Sequence, residues 1–140
     1  MEDIKPEICK YLKPDGRKLR AMVVDDSQFM RNQIIKMLRA MDIEISCEAP
    51  TGSVAVEYYG QYKPDIVTMD ITMPDMDGIT ALKKIKETDK SARIIMITAL
   101  GNEIKVKECI MNGALNFIVK PFQVAETTKK IYDTLKKVFG

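Results

Sequence analysis

The chain has 140 residues, room for one ordinary domain and not for two. Hydrophobic residues make up 46% and charged residues 30%, which excludes a disordered, collagen-like or disulfide-framed chain. Net charge is +2, from 22 basic and 20 acidic residues, too balanced for nucleic acid or an anionic membrane as the main partner. No apolar run approaches the roughly 20 residues needed to span a bilayer, and no secretory signal is read. Cys9, Cys47 and Cys109 form no CxxC pair, so reduced thiols and a cytoplasmic location are expected. The absence of histidine excludes a Ser-His-Asp triad, a histidine-ligated metal and a self-phosphorylating histidine.

Residues 1–17 stand apart as an N-terminal extension to a domain over residues 18–140. Ile4, Ile8, Tyr11 and Leu12 recur at helical spacing, and Pro14-Asp15-Gly16 reads as a turn. A packed short helix and a loose tail both fit this stretch.

From Leu19 onward a strand-then-helix pattern repeats five times. Ala21-Met22-Val23-Val24 is an apolar run ending in Asp25-Asp26. The helix that follows has Ser27 as its cap and Met30, Ile34, Met37, Leu38 and Met41 on one face. Ile43, Ile45 and Cys47 then alternate with Glu44, Ser46 and Glu48, as in a strand at a sheet edge with one face less buried. A second helix runs from Val54 to Tyr62. Ile66-Val67-Thr68-Met69 is the third strand, ending in Asp70. The turn Pro74-Asp75-Met76-Asp77-Gly78 leads into a helix with Ile79, Leu82 and Ile85 on one side. Ile94-Ile95-Met96-Ile97 is the fourth strand, ending in Thr98. A helix from about Asn102 to Met111 stops at Asn112-Gly113. Phe117-Ile118-Val119 is the fifth strand, ending in Lys120-Pro121. The last helix carries Val124, Thr128, Ile131, Leu135 and Val138 on its buried side.

This alternation predicts an α/β fold: a doubly wound, five-stranded parallel sheet with helices on both faces. The first, third and fourth strands are continuous apolar runs, as doubly covered strands should be. With the second strand at an edge and right-handed crossovers, the favoured order is 2-1-3-4-5. Asp25, Asp26, Asp70, Thr98 and Lys120 then all fall at the carboxyl ends of strands, the edge where such sheets bind ligands. The second strand contributes nothing comparable. Carboxylates converging there would repel one another unless a cation or lysine joined them. An all-oxygen set suits a hard cation, and Mg²⁺ fits. Lys120 suits a phosphoryl group as a point charge, and the Thr98 hydroxyl can donate to a further oxygen. No general base is left over, so the site reads as a holder of a phosphoryl group with one Asp as its acceptor.

The set Asp25-Asp26, Asp70, Thr98 and Lys120-Pro121 resembles the receiver domain of two-component response regulators, over about residues 18–140. The runs PDIVTMDITMPDMDGI and NFIVKPF look like the single-domain chemotaxis members of that family. The resemblance implies a flavodoxin-like fold of the same strand order. It implies that Asp70 is the phosphoacceptor. Asp25, Asp26 and Asp70 would hold Mg²⁺ together with the backbone carbonyl of Thr72. Lys120 would bind a phosphoryl oxygen, Thr98 would move towards the phosphate, and Phe117 would be the switch aromatic. It implies a cis bond at Lys120-Pro121. It also implies a signalling switch, not an enzyme, that assists its own phosphorylation and dephosphorylation.

The implied partners are the histidine kinase CheA as phosphodonor, the flagellar motor switch protein FliM as target, and a phosphatase. The protein would act as a monomer. The readout face would combine parts of Lys105–Ile110, Phe117 and the helix after Gln123, where Lys129, Lys130, Lys136 and Lys137 are basic. After Val138 only Phe139 and Gly140 remain, so the expected output is a contact with another protein. A single-domain phosphorelay carrier would share every site residue and is the alternative. An aspartate-nucleophile phosphatase is disfavoured because Thr72 stands where its second acid belongs. A flavodoxin is disfavoured because Asp25-Asp26 would repel a flavin phosphate.

Overall fold

The computed structural model describes residues 9–121 and 123–140. Five strands, β1 (Arg20–Val24), β2 (Glu44–Ala49), β3 (Ile66–Met69), β4 (Ile94–Thr98) and β5 (Asn116–Val119), form one parallel sheet in the order β2-β1-β3-β4-β5. The helices are α1 (Gln28–Ala40), α2 (Gly52–Tyr62), α3 (Gly78–Thr88), α4 (Glu103–Met111) and α5 (Val124–Phe139). The expected fold class and strand order are both present. Side-chain caps start four of the helices: Ser27, Thr51, Asp77 and Asn102 each accept a backbone N–H from the first turn. The Thr51 cap explains why α2 begins two residues earlier than the apolar pattern implied.

Successive strand residues face opposite ways, so the sheet divides two cores. Met22, Val24, Val67, Met69, Ile94, Met96 and Phe117 pack with residues of α2, α3 and α4. Ala21, Val23, Ile66, Ile95, Ile97 and Ile118 pack with residues of α1 and α5. All four β3 residues and all five β4 residues are buried, as their unbroken apolar runs require.

The edge strand departs from its expected one-sided pattern. The β1–β2 register shifts between Ala21 and Met22: Ala21 pairs with Ile45 but Met22 pairs with Cys47. Ser46 is the extra residue, and its hydroxyl donates to the Ala21 carbonyl (3.1 Å). Ile45 therefore packs on the α1/α5 core and Cys47 on the other. A bulge turns the alternation over, which periodicity alone does not reveal.

Two further expectations change. In α5, Thr127, Thr128, Ile131, Thr134 and Leu135 are buried, whereas Val124, the helix's first residue, is exposed. Thr134 enters the buried stripe because its hydroxyl accepts from Asn116 Nδ2 (3.0 Å) and donates to the Lys130 carbonyl (2.8 Å). Ile4 and Ile8 of the expected N-terminal helix lie outside the described residues. Tyr11 and Leu12 are in non-helical chain. Tyr11 is nonetheless 2% exposed, its ring against Tyr132 and Phe139 and its hydroxyl donating to the Gly140 carbonyl. The Pro14-Asp15-Gly16 turn is present, closed by Gly16 N–H on the Lys13 carbonyl (2.8 Å). Among the described residues no helix is long and apolar enough to cross a membrane.

Two stability predictions follow from this packing. Thr68 Oγ1 is buried and has no hydrogen-bond partner among the described residues. An unsatisfied buried hydroxyl is costly, so Thr68→Val should raise unfolding stability by about 1 kcal/mol, measured by urea titration. Tyr59 donates its hydroxyl to Asp89 Oδ2 (2.6 Å), and that bond, with the Ser91 N–H, holds the Asp89 carboxyl below its ordinary 3.8. A lowered folded pKa stabilises above the unfolded value and is lost as pH falls through the folded one. The stability gap between wild type and Tyr59→Phe should hold from neutral pH down to about pH 5 and narrow on further acidification.

Candidate functional site

Four strands end in the polar residues picked out from the sequence. Asp25 follows β1, Asp70 follows β3, Thr98 closes β4 and Lys120 follows β5. Ligand oxygens of Asp25, Asp26 and Asp70 all lie within 4.8 Å of one another. Asp25 and Asp70 are buried while Asp26 is exposed. Lys120 reaches across the cluster, its Nζ 2.6 Å from Asp25 Oδ2 and 3.5 Å from Asp70 Oδ2. The expected cation among repelling carboxylates is therefore in place as a lysine. The other oxygen of each buried carboxylate is held by a backbone amide. Ser27 N–H donates to Asp25 Oδ1 (2.9 Å) and Ile71 N–H to Asp70 Oδ1 (2.7 Å). The Lys120-Pro121 bond is cis, as expected.

Thr98 is 1% exposed, and its hydroxyl accepts the Leu100 N–H at 3.3 Å, a long bond. Its carbonyl accepts the Lys120 N–H (2.9 Å), which fixes the end of β5 against the end of β4. Phe117 is buried at 7% exposure. It pairs with Met96, and Thr98 lies two residues further along β4. Thr98 and Phe117 thus share the α2–α4 face of the sheet. Thr72 is exposed in the loop after Asp70.

That loop is set by two glycines. The Gly78 N–H donates to the Ile71 carbonyl (2.8 Å), and a Cβ at Gly78 would come within 1.8 Å of the Asp70 carbonyl oxygen. A Cβ at Gly52 would come within 2.2 Å of the Met76 carbonyl oxygen, to which the Gly52 N–H donates (3.2 Å). Ser53 also hydrogen-bonds Asp75. The loop after Asp70 is thus pinned at both the start of α3 and the start of α2.

Sequence reasoning missed Arg31 and Glu48. Arg31 Nη1 donates to the Asp25 carbonyl (2.6 Å) and Nε to Glu48 Oε1 (3.0 Å). Glu48 lies on β2, so the edge strand does contribute to the site. The available signal was a basic residue at the fourth position of α1, close to the helix N-terminus, where the dipole disfavours positive charge.

Among the described residues, this cluster of three carboxylates is the one group that could hold a metal ion. Its donors are all oxygen, two of them buried, with a lysine beside them. That set fits a hard divalent cation and an anion together.

Comparison with known proteins agrees with this geometry. Residues 21–132 match the family model described as the response regulator receiver domain. The chain belongs to that family. The receiver is similar to the chemotaxis protein CheY of Bacillus subtilis (strain 168), at 51% identity over 116 residues, covering 83% of this chain and 97% of that protein. It is 47% identical over 126 residues to the chemotaxis protein CheY of Treponema pallidum (strain Nichols), covering 89% and 88%. A chain of the crystal structure of the CheX-CheY-BeF3-Mg²⁺ complex from Borrelia burgdorferi superposes with a TM-score of 0.81 at 42% identity, covering 90% of this chain and 92% of that one. The protein is a CheY-like response regulator, a signalling switch of the two-component class. Its acidic cluster is compatible with Mg²⁺.

The glycine at the start of α3 gives the sharpest test of how this receiver site is built. Gly78→Ala forces a methyl group onto the Asp70 backbone, which cannot yield as a flexible side chain would. It should lower unfolding stability by about 3 kcal/mol in urea titration, whereas Ala at the open position Gly60, with nothing within 4 Å of its Cβ, should not destabilise the fold.

Proposed function

We propose that the protein is a chemotaxis response regulator that accepts a phosphoryl group on Asp70 from the histidine kinase CheA and, so modified, binds the flagellar motor switch protein FliM. The observation that carries this reading is the convergence of Asp25, Asp26, Asp70 and Lys120 at the strand ends, in a chain about half identical to CheY proteins. Asp25, Asp26, Asp70 and the Thr72 carbonyl are the groups that would hold Mg²⁺. The ion would neutralise charge on the phosphoryl oxygens.

The residues of the chain do the rest. Asp70 is the nucleophile: one carboxylate oxygen forms the new bond to phosphorus as the bond to the donor's leaving nitrogen breaks. The Ile71 N–H and Lys120 fix the plane of that carboxylate. Lys120, already between Asp70 and Asp25, is placed to pair with a phosphoryl oxygen, as a point charge suits. Such transfer depends on positioning and charge, and this site supplies both. The receiver thereby assists both its own phosphorylation and the later hydrolysis.

The output runs through Thr98 and Phe117. Among the described residues, the Thr98 hydroxyl has only a long bond from Leu100 to give up. A phosphoryl group offers it a stronger, charged acceptor. That difference between the two positions of Thr98 is what shifts the population. Phe117 lies on the same sheet face and carries the change to the surface of α4, β5 and α5. Ile104 (78% exposed) and Met111 (77% exposed) stand on α4 there, with Val119 on β5. The Mg²⁺ named with the Borrelia burgdorferi complex supports a divalent cation, and the CheX in the same complex supports a further protein partner. A CheY phosphatase, a cytoplasmic location and a monomeric state complete the reading.

The test is intact mass after incubation with a small phosphodonor and Mg²⁺. Wild type should gain one phosphoryl group, while Asp70→Asn, or wild type with a chelator, should gain none. Addition to Asp70→Asn would move the acceptor elsewhere. Phosphorylated protein that binds a histidine phosphotransfer domain and not FliM would replace the motor reading with a phosphorelay.

A further inference from the structure

We propose that Arg31 and Glu48 are a positioning pair that fixes the Asp25-Asp26 loop in its cation-binding shape, and that the β2 bulge at Ser46 exists to aim Glu48 at Arg31. The proposal rests on the Mg²⁺ reading of the site given above.

Three hydrogen bonds close a ring around the start of the loop. Arg31 Nη1 donates to the Asp25 carbonyl (2.6 Å), and Arg31 Nε donates to Glu48 Oε1 (3.0 Å). Glu48 is followed in β2 by Ala49, whose carbonyl accepts the Asp25 N–H (3.1 Å). The Asp25 peptide is therefore gripped on both sides, by Arg31 at its carbonyl and by β2 at its amide. Inside the loop, Asp25 Oδ1 takes the Ser27 N–H, and the Ser27 hydroxyl takes the Met30 N–H (3.2 Å). Asp26, the exposed member of the acidic cluster, lies between these two fixed residues.

The register explains how Glu48 comes to be there. Val23 pairs with Glu48, and Val23 faces the α1/α5 core. Were β2 regular beyond Ile45, its side chains would be turned over and Glu48 would face α2 instead. The extra residue Ser46 reverses that parity and sends Glu48 towards α1, where Arg31 is. Bulges re-aim side chains beside functional sites in this way.

The pair also balances charge. A lone guanidinium beside three carboxylates would compete with a cation for the same field. Glu48 offsets Arg31, so the cluster gains a rigid donor without losing its attraction for a divalent ion. The Arg31 side chain is 14% exposed and that of Glu48 45% exposed, so the grip on Asp25 is the more sheltered part of the ring.

Position and charge predict opposite results for one substitution. Arg31→Met removes a positive charge, so a purely electrostatic role predicts tighter Mg²⁺ binding. A positioning role predicts weaker binding, by about 10-fold, as loss of a residue that orients metal ligands generally does. The measurement is the Mg²⁺ concentration that half-saturates the intrinsic tyrosine signal or thermal shift of the full chain. It is made on wild type, Arg31→Met, Arg31→Lys and Glu48→Gln, with amide exchange at Ser27 and Met30 followed without metal.

The expected result is weaker Mg²⁺ binding in all three variants and faster exchange at both amides in Arg31→Met. Glu48→Gln keeps the Arg31 grip on Asp25, so it should fold and keeps the proposal testable should Arg31→Met fail to fold. Unchanged or tighter binding in the folded Arg31 variants, or unchanged binding in Glu48→Gln, overturns the pair. A wild type that shows no Mg²⁺ response at all overturns the metal reading itself, and the pair with it.

Discussion

Three carboxylates within 4.8 Å of one another are an unfavourable arrangement, and much of the molecule is organised around holding them there. Two of them are buried, where water cannot screen their repulsion. The chain meets this with one lysine from a distant strand, two backbone amides and a guanidinium on the loop's carbonyl. Lys120 is 95 residues from Asp25 in sequence and 2.6 Å away in space. A parallel sheet is what permits this, because every strand delivers its carboxyl end to the same edge. Short helices and loops alone would not bring residues of β1, β3 and β5 to one point with this accuracy.

The same logic fixes the loop after Asp70. On the proposed reading Asp70 must present its carboxylate at a defined angle, yet it sits at the start of a loop, the least rigid kind of segment. The chain compensates by bringing α3 so close that only glycine fits at position 78. The approach of Gly52 to Met76 repeats the device on the α2 side. Close backbone contact replaces side-chain packing, so the loop gains rigidity without covering the carboxylate.

Much of this was legible in the sequence, for a reason that can be stated. Buried parallel strands are unbroken apolar runs, and the first polar residue after such a run marks the sheet's carboxyl edge. Asp25, Asp70, Thr98 and Lys120 could therefore be placed in three dimensions from one-dimensional breaks in hydrophobicity. Where the register is irregular that reasoning fails. Ile45 and Cys47 look like neighbours on one face and are divided by the Ser46 bulge, so Glu48 and its link to Arg31 were invisible. Tyr11 failed for another reason. Its helical spacing with Ile8 and Leu12 looked local, whereas its burial depends on Tyr132 and Phe139 at the far end of the chain. Contacts between the two ends leave no periodic trace.

The sheet also separates two tasks that share one edge. Arg31 and Glu48 hold the acidic loop from the α1 side. Thr98 and Phe117 lie on the opposite face, towards α2, α3 and α4. On the proposed reading, binding strength is then set on one face and the response on the other. A change in how tightly the loop is held need not alter the packing of Phe117, and a change at Phe117 need not loosen Asp25. The strand alternation that gives the fold its two cores gives the switch two adjustable halves. The common element between them is the sheet edge at Asp70 and Lys120, where, on the same reading, a single added charge would act on both.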